Sequence, residues 1–146
     1  MILWVPGRLP GLNELLAGKA SQNGSWNRYN QLKQQWYGQI RMLCQAKRVA
    51  EIGPGYFSFL FCEPDRRRDP DNVVAGGVKL LFDSLVGAGV MAGDSWNHVL
   101  GFVGYWRHTP GKAGCLVRHG EALLTKEAAL AFLEKENEHA KQENRV

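Results

Sequence analysis

The 146-residue chain has few residues that could form the cross-links, disulfides or zinc sites, that stabilise a protein in addition to its hydrophobic core. It contains only three cysteines, Cys44, Cys62 and Cys115, at wide spacing and without any Cys-x-x-Cys pair. This pattern argues against both a zinc site and a disulfide framework, and it favours a reduced, cytoplasmic location. A chain of this length buries enough surface to fold without such cross-links.

Long apolar runs are also missing. The longest, residues 56–62, has the length of a strand and is far too short to cross a bilayer. Residues 1–4 lack the basic segment of a secretory signal and are followed at once by Pro6-Gly7. We therefore expect no membrane partner, and the ordinary apolar content of 45% predicts a globular protein.

Acidic residues are scarce in the first third of the chain. Residues 1–50 contain seven Lys/Arg and one Glu, whereas residues 51–100 contain seven acidic and four basic residues. The basic third would attract a polyanion. The acidic middle would repel the same partner unless a divalent cation bound there, so the distribution points to metal-dependent chemistry on nucleic acid. A solvated surface with uneven charge is the alternative.

Apolar periodicity and chain-breaking residues predict the order β-α-β-α-β-β-α. Strands are predicted at residues 2–5, 56–62, 96–106 and 115–119, the last two as a hairpin around a turn at 109–114. Helices are predicted at residues 25–47, at 72–86 and after the N-cap Thr125, with loops at 10–13 and 18–24. The tryptophans expected in the core or at its rim are Trp26, Trp36, Trp96 and Trp106. This order predicts an α/β domain with a mixed or antiparallel sheet over residues 1–125, and a helix with a charged, frayed tail over 126–146.

The densest group of charged residues runs from Glu63 to Asn72. Because proline disfavours the helical conformation in the residue before it, Asp69 to Asp71 is expected to be extended. Residues two apart in an extended chain point the same way, so both carboxylates would face one point. Such oxygen ligands suit Mg²⁺ or Mn²⁺, and the neighbouring arginines suit phosphate. For an isolated Asp-Pro-Asp, however, helix capping is the more common role.

Two further residues are candidates for the same site. Asp94 follows a Gly-containing loop and precedes a predicted strand, from which its carboxylate can reach the N-terminus of a neighbouring helix; alone, it is more typical of a turn. Lys79 lies one helical turn before Asp83. The two form either a surface ion pair worth about a few tenths of a kcal/mol, or Lys79 stabilises charge on a phosphate under attack.

Taken together, Arg68-Asp69-Pro70-Asp71-Asn72, the segment Lys79 to Leu85, Ala88-Gly89-Val90 and Gly93-Asp94 resemble the signature of the RusA family of Holliday junction resolvases. The resemblance is strongest over residues 61–95 and extends loosely over 2–119. It implies a small homodimer that cuts four-way DNA junctions with magnesium, and phage and prophage members belong to the family. It places the catalytic, metal-binding aspartates at Asp69, Asp71 and Asp94 and the essential lysine at Lys79.

The chain departs from the family pattern at three places. Lys79 lies about one helical turn later than in the family, and the additional stretch contains Gly76-Gly77, which predicts a late or loosened helix there. Gly93 stands where some relatives have a second acid, so that ligand is absent. The family's Pro-x-x-Asn loop is matched only weakly by residues 10–13.

The sequence thus favours a magnesium-dependent endonuclease that hydrolyses phosphodiester bonds of branched DNA through a metal-activated water. Contacts with the DNA backbone are expected from Arg66, Arg67, Arg68, Arg28 and Lys33. A non-catalytic, structure-selective DNA-binding module, with the acids as caps, is the first alternative. A phosphotransferase or phosphatase ranks third, because such enzymes usually place Asp-x-Asp directly after a strand and here residues 63–68 intervene.

Overall fold

The computed structural model describes residues 1–20 and 25–145, in which a four-stranded mixed sheet has helices on both faces. The strands are β1 (Ile2–Pro6), β2 (Gly55–Glu63), β3 (Val99–His108) and β4 (Gly114–Gly120). The helices are α1 (Leu12–Ala20), α2 (Ser25–Ala46), α3 (Pro70–Gly87) and α4 (Lys126–Glu143). The predicted α/β class with a mixed sheet is confirmed. No helix of the described ranges is both long and apolar enough to cross a membrane.

The strand order is β1-β4-β2-β3, with β2 parallel to β3 and antiparallel to β4. Parallel neighbours need a crossover connection, which α3 provides between β2 and β3. The carboxyl ends of β2 and β3 and the start of α3 therefore lie at one edge of the sheet. This edge contains the Asp-Pro-Asp segment.

The predicted hairpin of the last two strands is wrong, because β3 and β4 lie on opposite sides of β2. The connection between them crosses the end of β2, where the Thr109 N–H donates to the Glu63 carbonyl at 2.8 Å. Strands two apart are separated by about 10 Å, a distance that a five-residue connection spans as easily as it closes a hairpin. Sequence spacing alone does not distinguish the two.

The two faces of β2 pack against different helices, as its continuous apolar run predicts. Phe57, Phe59 and Phe61 belong to the large core cluster with side chains of α2 and α3. Leu60 and Cys62 belong to a smaller cluster with Ala129 and Leu133 of α4. Helices α2 and α3 thus cover one face of the central strand, with α1 packed against both helices, and α4 covers the other face.

Helix α1 replaces a predicted loop. The prediction was wrong for residues 12, 13 and 18–20, and residues 21–24 lie outside the described residues. Tertiary contacts hold this short helix: the Asn13 N–H donates to Asn72 Oδ1 at 2.8 Å, and Glu14 Oε1 accepts from Arg68 Nη1 at 3.0 Å. Both partners are more than fifty residues away, so local propensity does not reveal them.

Helix α3 is continuous from Pro70 to Gly87, and the predicted loosening at Gly76-Gly77 does not occur. Instead, these glycines allow close packing. A Cβ at Gly76 would overlap the backbone of Gly11 and lie 2.6 Å from the Pro10 carbonyl oxygen, and one at Gly77 would overlap the ring of Phe61. The glycines therefore bring the start of α1 and the central strand directly against α3.

The tryptophans differ widely in burial. Trp36 is buried as predicted, but Trp96 is 95% exposed, so the core or rim position expected for it is wrong. It precedes β3, which begins at Val99 rather than at residue 96, because a turn closed by the Ser95 carbonyl and the His98 N–H intervenes. Trp106, on β3, is 46% exposed. The side chain of Trp26 lies outside the described part of the structure.

Helix α4 begins after Thr125, whose hydroxyl oxygen accepts a hydrogen bond from the Ala128 N–H at 3.2 Å. The predicted N-cap is therefore confirmed. The helix continues to Glu143, and only Ala129 and Leu133 are buried. Its charged second half is mostly exposed, and Asn137 there accepts a hydrogen bond from Lys112 Nζ at 2.6 Å.

Candidate functional site

The Asp-Pro-Asp segment forms the start of α3. Asp69 occupies the N-cap with an extended backbone (φ −67°, ψ 144°), Pro70 follows as the first helical residue, and Asp71 lies in the first turn. Proline suits this first position, since its missing N–H would be unpaired there in any case. The expected extended conformation is right for Asp69 and wrong for Asp71. The argument that both carboxylates point the same way along an extended chain therefore does not apply.

The two carboxylates are nevertheless free of protein partners. The side chain of Asp69 makes no capping hydrogen bond, and within residues 1–20 and 25–145 neither Asp69 nor Asp71 has an ion-pair or hydrogen-bond partner for its carboxylate. Both side chains are exposed. The partial positive charge of the helix N-terminus favours acids at these positions. Capping by the Asp69 side chain, the alternative from sequence, is absent.

The three consecutive arginines before this segment have different roles. Arg68 is only 10% exposed, and its guanidinium donates to the Leu9 carbonyl at 2.8 Å, to Glu14 at 3.0 Å and to Glu63. Arg66 and Arg67 are exposed. The Arg67 N–H donates to Asp65 Oδ1 at 2.9 Å, and this hydrogen bond is the main reason why the pKa of Asp65 is lowered. Arg68 thus joins β2, α1 and the start of α3, so its guanidinium group is occupied by protein contacts, whereas the side chains of Arg66 and Arg67 are exposed.

Replacement of Arg68 by alanine is expected to destabilise the protein by about 3 kcal/mol. The substitution would leave the Glu63 carboxylate, which is 13% exposed, with only Arg8, 3.5 Å away, as a cation partner. Removing one partner of a buried ion pair costs about 3–5 kcal/mol, and the remaining Arg8 places the expected loss at the lower end. Arg66→Ala is the matched control and should change the free energy of unfolding by less than about 0.5 kcal/mol. Urea unfolding of both variants measures the difference. Equal stabilities would contradict the structural role of Arg68.

Lys79 and Asp94 lie in a second group of charges, farther along α3. Lys79 Nζ is 3.0 Å from Asp83 Oδ1 and 3.9 Å from Asp94 Oδ2. The hydrogen bond to Asp83 is the main reason why the pKa of Lys79 is raised, so its charge persists throughout the neutral range. The surface ion pair that the sequence allowed between Lys79 and Asp83 is therefore present.

Lys33 of α2 approaches the same group from the other side. Its Nζ is 3.7 Å from Asp83 Oδ2 and lies 5.1 Å and 5.6 Å from the ring centroids of Tyr29 and Tyr37. Burial acts to lower the pKa of Lys33, but the hydrogen bond with Tyr37 and the negative charge of Asp83 raise it overall. Lys33 is therefore largely committed to protein contacts. Arg28, by contrast, is exposed on α2.

The structure does not bring the three predicted aspartates together. Asp71 and Lys79 are eight positions apart on α3, which corresponds to about 12 Å along a helix, and Asp94 lies beside Lys79. Among the described residues, no three His, Cys, Asp or Glu side chains are grouped so that they could hold a metal ion. Asp69 and Asp71 alone fit Mg²⁺, which is often held by one or two carboxylates and keeps several waters. Asp94 already has a cation beside it.

Comparison with known proteins identified no relative of this chain. The chain matches no protein-family model, and no curated protein is similar to it. The resemblance to the RusA family therefore depends on the segments between residues 61 and 95 and on their order.

A cleft of about 550 Å³ lies where β2 and β3 end and α3 begins. We call it the strand-end cleft. Asp69 and Arg66 line it together with Trp106, Arg107 and Lys126. Sequence reasoning missed the last three as site residues. The available signal was the alternation of large apolar residues Leu100, Phe102 and Trp106 in a strand that the structure places at the sheet edge.

A second cavity, of about 840 Å³, lies between α3 and β3. Lys79 and Asp94 line one end of it, and Leu100 and Phe102 form an apolar wall. The candidate residues are thus divided between two places: Asp69 in the strand-end cleft, and Lys79 with Asp94 in this groove. Asp71 lies in the first turn of the helix that separates them.

Proposed function

We propose that this protein is a magnesium-dependent endonuclease that resolves four-way DNA junctions by hydrolysis of phosphodiester bonds. The observation that supports this most directly is the pair of unpartnered carboxylates, Asp69 and Asp71, at the start of α3. Because these carboxylates make no protein contacts in the described structure, their oxygens are open to a divalent cation, and the exposed Arg66 and Arg67 nearby suit phosphate. The likeness of residues 61–95 to the RusA signature supplies the substrate class.

The acids and the arginines of this site have different chemical roles in the proposal. Asp69 and Asp71 would hold the metal, whereas Asp94, which the resemblance adds to the set, lies beside Lys79 in this structure. A bound Mg²⁺, or Mn²⁺, lowers the pKa of a water and stabilises the attacking and leaving oxygens. Arg66 and Arg67 hold the strands through phosphate contacts that contain little sequence information.

Lys79 supplies a fixed positive charge in the proposal. Its raised pKa keeps it protonated, and Asp83 orients its ammonium group through a hydrogen bond of 3.0 Å. A cation held in this way can stabilise negative charge that develops on phosphoryl oxygens without reorganising during the reaction. The exposed Arg28 extends the basic surface on α2. A twofold homodimer, also implied by the resemblance, would match the pseudo-twofold symmetry of a junction and allow paired cuts.

Cleavage of a synthetic four-way junction, compared with a linear duplex of the same sequence, tests the proposal. With magnesium, we expect paired cuts in the junction alone, and with EDTA we expect none. Cleavage of both DNAs at equal rates would contradict junction selectivity, and cleavage in EDTA would contradict the metal requirement.

A non-catalytic DNA-binding module is the second candidate. It is favoured by the separation of Asp94 from the Asp-Pro-Asp segment and by its ion pair with Lys79. This function predicts junction binding that weakens steeply with salt and needs no magnesium. Tight junction binding without cutting in any divalent metal would favour it over the endonuclease.

A further inference from the structure

We propose that the strand-end cleft binds one unstacked nucleotide of the DNA branch, with its base on Trp106 and its phosphate against Arg66, Arg107 and Lys126. This inference depends on the proposed function, since it takes branched DNA as the substrate. It names the part of the DNA that the protein would use to distinguish a branch from a duplex.

Trp106 is placed as a rigid platform. It lies within β3, where it pairs in register with Phe61 of the central strand. Two residues earlier on the same face, Gly104 leaves room for Val74 of α3, whose side chain would overlap a Cβ there. Because α3 covers this face at Gly104 and begins at Pro70, the indole of Trp106 lies at the uncovered end and is 46% exposed. A half-exposed indole fixed on a strand suits base stacking.

The charges around Trp106 suit a phosphate. Arg66, Arg107 and Lys126 line the cleft and have no ion-pair partner among the described residues. Two acids of the lining, Glu63 and Asp65, are paired with Arg68 and Arg8. They come from three different elements: the loop after β2, the end of β3 and the start of α4. The floor includes Arg68, nine-tenths buried, whose Nε lacks a hydrogen-bond acceptor in the described structure. The start of α3 adds a partial positive charge.

An unstacked nucleotide fits these features better than intact duplex does. In a duplex each base is covered on both faces by its neighbours and offers no free surface to an indole. Removing a base costs energy for both unstacking and unpairing, and at the centre of a four-way junction the bases stay paired but the continuous stack of each arm ends, so the unstacking part of the cost is lowest there. The volume of about 550 Å³ falls within the range of pockets that enclose small organic molecules. The free carboxylate of Asp69 lines the same cleft, so the bound nucleotide would place its phosphate beside the proposed catalytic acid.

Junction binding measured in EDTA, so that no cutting occurs, tests this inference. Trp106→Ala should weaken binding to the intact junction by about 5- to 150-fold, the loss expected for one base–aromatic stack. Trp106→Phe should retain most of the affinity, and binding to linear duplex should not change. Met42→Ala, which removes an exposed apolar side chain of α2 that lines neither this cleft nor the groove of Lys79 and Asp94, is the control and should bind as wild type does.

A second experiment varies the DNA instead of the protein. A set of junctions, each with one abasic nucleotide at a branch position, should include one that binds wild type and Trp106→Ala equally, because the base that stacks is gone. If Trp106→Ala binds every junction as wild type does, while wild type still prefers junctions and cuts them with magnesium, the cleft inference is overturned and the proposed function stands. Equal weakening on duplex also overturns it. A wild-type protein that does not bind junctions overturns both.

Discussion

Asp71→Asn is expected to lower magnesium-dependent cutting of a four-way junction by more than about 100-fold. Even the loss of a group that only supports a metal ligand costs about 10–100-fold, and here a proposed ligand loses its charge. Asp71 is exposed in the first turn of α3 and has no partner in the described structure. The fold should therefore remain intact. Single-turnover cleavage with magnesium, together with an unfolding curve, measures both effects.

Junction binding by Asp71→Asn in EDTA should equal or exceed that of the wild type, because one negative charge is removed from the surface that we propose binds DNA. Glu134→Gln is a suitable control: it makes the same change of charge on the exposed second half of α4 and should cut at the wild-type rate. Cleavage by Asp71→Asn at more than a tenth of the wild-type rate would contradict its role as a ligand. Lost binding with an intact fold would contradict the division between metal-binding acids and DNA-binding arginines.

Gly76→Ala is expected to destabilise the fold by about 1–3 kcal/mol, the usual cost of overpacking, although alanine is the better helix former. A Cβ at this position of α3 would overlap the backbone where α1 begins. Backbone atoms cannot move aside as a flexible side chain can. The overlap should therefore outweigh the gain of about 0.5–1 kcal/mol that alanine gives in a helix. Urea unfolding at constant magnesium concentration measures the change.

Gly38→Ala is expected to raise the free energy of unfolding in the same experiment, the opposite of the effect expected for Gly76→Ala. Gly38 lies in α2, and a Cβ there would meet no atom within 4 Å. The substitution should therefore stabilise the protein by about 0.5–1 kcal/mol through helix propensity alone. If both variants were stabilised, the close approach of α1 to α3 at Gly76 would be wrong.

The elements with strong periodicity were predictable from sequence. The apolar stripe of α2 and the continuous apolar run of β2 each leave one interpretation, and the structure confirms both within two residues. Helix α1 was not predictable, because Gly11 and Gly18 indicate a loop locally and the contacts that stabilise the helix come from Asn72 and Arg68. The spacing of the strands along the sequence also did not reveal that β3 and β4 each pair with β2 instead of with each other.

The candidate site was predictable in position but not in detail. Pro70 and its flanking acids mark the start of α3, and the structure places them there. The sequence does not distinguish Arg68 from its two arginine neighbours, since the difference arises from Glu63, Glu14 and the Leu9 carbonyl. It also gives no sign that Asp94 lies beside Lys79 rather than beside Asp69. Side-chain partners from distant segments determine both.

The course of α4 has a practical consequence for experiments on single molecules. Its first residue, Lys126, lines the strand-end cleft, and the helix then runs to Glu143, which is about 26 Å away at the rise of an α-helix. Its second half packs few apolar side chains and is mostly exposed. A surface tether or a fluorescent dye attached near residue 143 would therefore stay well clear of the cleft. Protein immobilised through this end would leave the start of α3 open to DNA in solution.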